Sequence, residues 1–166
     1  FSTGPGNFYF EGITLPFGLK VGDASGYSVA IYSAVSSSGP IGLVTTLAGN
    51  STPSNSLETY APSISTTLLG NTTYWIVEQA TTTAPSTAFG AIFSTSSNEN
   101  PGGLPGWSIA DHRWVTNDGG AVWFEYTSNP SPRQISVQIA SVADAGRSIV
   151  LLGISLVGLA WFRRKR

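Results

Sequence analysis

Cysteine is absent from the 166 residues, so the chain has no disulfide framework and no thiolate metal site. Methionine is absent too, and we expect further chain to have preceded Phe1, lost by processing or because the sequence is a fragment. Histidine occurs once, at His112, which leaves an ordinary zinc cage without ligands. Cations are scarce: residues 1–141 hold Lys20, Arg113 and Arg133 against eight carboxylates, a net charge of −5. A nucleic-acid partner is therefore excluded, because phosphate neutralisation needs clustered Lys and Arg. No helical period runs through those residues, and no internal repeat appears.

Serine, threonine, glycine, asparagine and proline are plentiful, spread between short apolar runs. That pattern predicts many strands joined by turns. Tyr27, Val29 and Ile31 alternate with polar or small neighbours, as do Ile135, Val137 and Ile139. In 74–79, Tyr74, Ile76 and Glu78 face away from Trp75, Val77 and Gln79. Further strands are expected at 7–15, 42–47, 57–60, 63–68, 89–94, 107–109 and 121–126, where β-branched and aromatic residues gather. Turn chemistry stands at Ser38-Gly39-Pro40, Gly49-Asn50, Gly70-Asn71, Asn100-Pro101-Gly102-Gly103, Asn117-Asp118-Gly119-Gly120 and Asn129-Pro130. Asp118-Gly119 before Val122-Trp123-Phe124 is a hairpin signal. About nine or ten strands without intervening helices predict an all-β, antiparallel sandwich of jelly-roll type over residues 1–141.

The end of the chain differs in kind. Residues 142–166 hold five cations and Asp144 alone, a net of +4. Ser148 to Phe162 is an uncharged apolar run of 15 residues. As a helix it spans roughly 22 Å, against about 30 Å for a bilayer core. Snorkelling Arg147 and Arg163 lengthen the reach, so a transmembrane helix is expected over about 147–162. Trp161 stands where an interfacial aromatic would. Arg163, Arg164, Lys165 and Arg166 follow at once and favour the cytoplasmic side, which puts the β-domain outside.

Just before the apolar run lies Val142-Ala143-Asp144-Ala145-Gly146. Motif, apolar helix and basic cluster together resemble the PEP-CTERM class of sorting tails, most closely its VPDSG-type variant. Val142, Asp144 and Gly146 match that pattern; Ala143 stands for its proline and Ala145 for its serine. The resemblance implies a membrane-embedded exosortase as processing partner, cutting near the motif and then releasing or re-anchoring the protein.

A second resemblance covers about residues 26–140. Tyr27-Ser-Val-Ala-Ile-Tyr-Ser33, Leu43-Val-Thr-Thr-Leu47, Leu69-Gly-Asn-Thr-Thr-Tyr-Trp-Ile-Val77 and Gly106-Trp-Ser-Ile-Ala110 follow one another as in the choice-of-anchor R domain. That family is a bacterial surface module with interchangeable anchors. It implies location and architecture, and no reaction.

The chemistry-bearing residues fit that view. His112 lies in Asp111-His-Arg-Trp114, no Gly-x-Ser-x-Gly elbow exists, and a polar surface role is expected. Asn98-Glu99-Asn100, or Asn117-Asp118 with Glu125, offers oxygen ligands for calcium without EF-hand spacing and reads as turn chemistry. Glu78 and Glu125 sit in expected strands and read as solvent-facing positions, not as a glycosidase pair. The sequons at Asn50 and Asn71 read as turns. No catalytic residue, metal or cofactor is expected. The alternative function is exopolysaccharide binding by the exposed members of Trp107, Trp114, Trp123 and Tyr126, whose rings are otherwise core material.

Overall fold

The computed structural model describes residues 1–22, 26–36, 39–80, 104–109, 114–115, 124–125 and 135–142. These form strands β1 (Phe8–Pro16), β2 (Ser28–Ser36), β3 (Gly39–Ala48), β4 (Leu57–Pro62), β5 (Thr66–Leu68), β6 (Trp75–Gln79), β7 (Trp114–Val115), β8 (Phe124–Glu125) and β9 (Ser136–Ser141). All pairings among them are antiparallel, and the arrangement is consistent with a β-sandwich.

β1 organises one half. One of its edges takes β5 along Phe8–Phe10 and β4 along Ile13–Pro16. Its other edge takes β9, from Phe8 opposite Ser141 to Thr14 opposite Ser136. β4 then joins the second half, where Pro62 and Ala61 pair with Leu47 and Ala48 of β3. β3, β2 and β6 follow in that order. Both halves contribute to one core: Phe10, Ile13 and Leu15 from β1, Val29 and Ile31 from β2, with Leu47, Tyr60, Leu68 and Tyr74.

Two bulges set the phase of the buried faces. In β1 the register shifts between Phe10 and Gly12, and Glu11 is the extra residue. Phe10 and Ile13 therefore both point inward, although they are three apart. Gly12 suits the site, since an added Cβ would stand 2.9 Å from the Tyr60 carbonyl oxygen. In β3 the shift falls between the partners of Ile31 and Tyr32, leaving Val44 unpaired. Thr45 and Leu47 are buried beyond it, while Ile41 and Leu43 are exposed before it. Pro40 and left-handed Gly42 on that exposed stretch blunt it as an edge for another strand.

Several expectations need correction. The strand expected over 63–68 shortens to Thr66–Leu68. The strand expected at 107–109 is a single bridge, Ser108 against Ser2. Gly39 and Pro40 are not a turn: Gly39 already pairs with Ser36, so both stand in β3. Gly70-Asn71 does turn, and Asn71 takes a left-handed φ of 52°. The strand expected at 89–94 and the turns at 100–103, 117–120 and 129–130 lie outside the described residues. No helix long and apolar enough to cross a membrane occurs among the described residues, and residues 148–162 lie outside them.

Candidate functional site

Val142, the first residue of the expected sorting motif, is the last described residue of the chain. β9 ends at Ser141, and the Val142 N–H donates to the Asn7 carbonyl at 3.3 Å. Asn7 also acts through its side chain, whose Oδ1 accepts the Gly70 N–H at 3.1 Å. One residue thus joins Val142 to the loop that follows β5.

Three loops meet there. Thr3 Oγ1 donates to the Leu69 carbonyl at 2.7 Å and accepts the Thr72 N–H at 3.0 Å. Asn71 N–H donates to the Gly4 carbonyl at 2.9 Å. The Leu69 N–H donates to the Tyr74 hydroxyl at 2.7 Å. Glycine makes the closest approaches possible. A Cβ on Gly70 would stand 2.5 Å from the Gly6 carbonyl oxygen, and one on Gly4 would stand 2.2 Å from that of Pro105. Gly6 and Gly106 carry φ values of 92° and 80°, which side chains rarely adopt.

An aromatic cluster backs these loops. Phe1 stacks on Trp107 with ring centroids 6.0 Å apart and planes 3° from parallel. Phe8 meets Trp107 edge-on at 5.2 Å, and Phe1 stacks on Tyr74 at 5.7 Å. The half-buried Trp107 therefore has one ring face covered by Phe1 and packs against the core. Its ring thus takes part in the packing of these loops. Trp114 belongs to β7, opposite Glu125 of β8. Trp123, Tyr126 and His112 lie outside the described residues, as do Ala143, Asp144, Ala145, Gly146 and Arg163 to Arg166.

Phe1 also closes a small ladder. Its backbone nitrogen donates to the Tyr74 carbonyl at 2.9 Å, and the Tyr74 N–H donates to the Phe1 carbonyl at 2.8 Å.

Glu78, Glu58 and Asn50 take part in the domain's own hydrogen bonding. The Tyr27 hydroxyl donates to Glu78 Oε2, which places that carboxylate in the sheet's own bonding. Ser56 Oγ and Asn50 Nδ2 donate to Glu58 at 2.7 and 2.8 Å and hold it below the usual carboxylate range. Asn50 Oδ1 accepts the Thr52 N–H at 2.9 Å, an Asx turn at the first sequon. No group of three metal-ligating side chains occurs among the described residues.

Sequence reasoning missed one apolar face. Tyr32 of β2 stands opposite Trp75 of β6 and Leu43 of β3. Opposite residues share a face, so these three lie on the side away from Val29 and Ile31. Only the alternation of 74–79 hinted at this. In comparisons with known proteins, no family model, no curated protein and no solved structure matches this chain.

Proposed function

We propose that this chain is an exported bacterial surface protein, a β-sandwich of jelly-roll type carried on a C-terminal membrane tail and displayed without catalysing a reaction. The observation that carries the reading is the charge step, from −5 over residues 1–141 to +4 over residues 142–166, across an uncharged 15-residue apolar run. An apolar run closed by four cations behaves as a stop-transfer segment with its basic end in the cytoplasm.

The sorting reading extends this. The resemblance to a VPDSG-type tail makes Val142 to Gly146 the recognition motif for an exosortase-type enzyme. The last ladder contact of β9 among the described residues is the Val142 N–H, so the motif begins at the end of that strand. A recognition sequence at that boundary supports access by a membrane-embedded enzyme. In this reading the final location is the cell surface or extracellular matrix, near exopolysaccharide. Glycan binding by surface aromatics is the weaker alternative, since Trp107 is packed against Phe1.

Full-length chain produced in cells with and without an exosortase tests both parts. Without the enzyme, the chain is expected in the membrane fraction with its mass ending at Arg166. With it, the mass is expected to end near the motif. An intact chain in the soluble fraction would remove the anchor, and an Arg166 end in the presence of active enzyme would remove the processing.

A further inference from the structure

We propose that the domain does not float above its anchor: the loop end built from residues 3–7, 69–72 and 104–108 rests on the bilayer, with Leu69 and Leu104 entering its interfacial layer. The proposal rests on the membrane reading of the tail.

The first argument is reach. Val142 is tied to Asn7, and Asn7 is tied to Gly70, so the chain departs beside these loops. Six residue steps separate Val142 from Ser148. At no more than about 3.6 Å per residue they extend to roughly 22 Å. β9 also runs toward this end, since Ser141 stands opposite Phe8 and Ser136 opposite Thr14. The same short leash and exit direction select this end as the one that faces lipid.

The second argument is surface chemistry. Leu69 is 56% exposed and Leu104 48% exposed. Tyr9, opposite Ala140 beside the exit, is 45% exposed and has the amphipathic ring favoured at interfaces. Residues 1–10, 61–77, 104–109 and 135–142 contain no charged side chain. Lys20 and Glu58 belong to the opposite end, where the Lys20 N–H meets Ser54 and Glu58 pairs with Leu15. Among the described residues no carboxylate stands in these loops, so this surface can approach a headgroup layer without desolvating one of them.

The absence of cysteine makes the test direct, because each introduced thiol is labelled alone. Full-length Leu69→Cys, Leu104→Cys, Leu19→Cys and Ser155→Cys chains are labelled with a polarity-sensitive dye. They are reconstituted into phosphatidylcholine–phosphatidylglycerol vesicles containing a doxyl-lipid quencher. Leu19, 71% exposed at the far end, serves as the solvent marker, and Ser155 marks the tail. Dyes at 69, 104 and 155 are expected to shift blue and lose fluorescence to the quencher, while the dye at 19 stays bright. Bright dyes at 69 and 104 beside a quenched dye at 155 overturn the proposal and leave the anchor standing. Equal quenching at 19 and 69 overturns it too. A bright dye at 155 removes the anchor and the proposal together.

Discussion

Replacing Tyr60 with alanine is expected to lower the stability of the domain by about 4 kcal/mol. The ring is 1% exposed and is the largest fully buried side chain among the described residues. It lies between Phe17, at a centroid distance of 6.4 Å, and Tyr27, at 5.8 Å. Its hydroxyl donates to the Asn50 carbonyl at 2.7 Å. The loop carrying that carbonyl closes tightly on the ring, since a Cβ on Gly49 would stand 2.2 Å from Tyr60 Cδ1. Truncation therefore empties a ring-sized volume where β4 joins the two halves, and the packed neighbours cannot collapse into it fully. Tyr60→Phe separates the two contributions. It keeps the ring and loses one hydrogen bond, so a cost of about 1 kcal/mol is expected. Thermal unfolding in mild detergent, followed by near-ultraviolet circular dichroism, measures both. A Tyr60→Ala domain as stable as the Phe variant would show that the ring is not central to the core.

Strand type was legible where alternation was clean. Val29 and Ile31 are buried on β2, and Ile135, Val137 and Ile139 pack on the core, as a period of two predicts. Phase was harder to read. In β1 the inward residues are Phe10, Ile13 and Leu15, and strict alternation cannot place all three on one face. The Glu11-Gly12 pair carried the available signal, because glycine inside a strand marks a bulge. The loop end was less legible still. Its contacts join Thr3 to Leu69, Gly4 to Asn71 and Asn7 to Val142, over separations that no local pattern encodes. Trp107 illustrates the limit for sites: the sequence does not show that the rings of Phe1 and Phe8 pack against it.

The position of any processing cut is the point on which stability and function meet. A chain ending at Gly146 is expected to keep the full stability of the domain, and a chain ending at Gln134 is expected to have no stable fold. The longer form retains β9 and the Val142 contact to Asn7. The shorter form loses the partner of β1 along six register pairs, from Phe8 with Ser141 to Thr14 with Ser136. It also loses Ile135, Val137 and Ile139 from the core edge. Partly buried aliphatics of this kind contribute about 1.5 kcal/mol each, or about 4–5 kcal/mol for the three. Phe10, Ile13 and Leu15, buried in the intact domain, would be partly uncovered in addition. Small domains hold only about 5–15 kcal/mol in total, so this loss consumes most of the margin. Circular dichroism and proteolysis of the two truncations decide the matter, and a protease-resistant 1–134 chain would sink the argument. The consequence for sorting is a narrow window. A cut beyond Val142 keeps the six register pairs of β9 with β1 and the Val142 contact to Asn7. An enzyme that must draw in Val142 itself breaks one 3.3 Å bond to Asn7 and nothing more of β9. On the proposed sorting reading, a cut after Val142 therefore spares β9, and the domain is expected to persist.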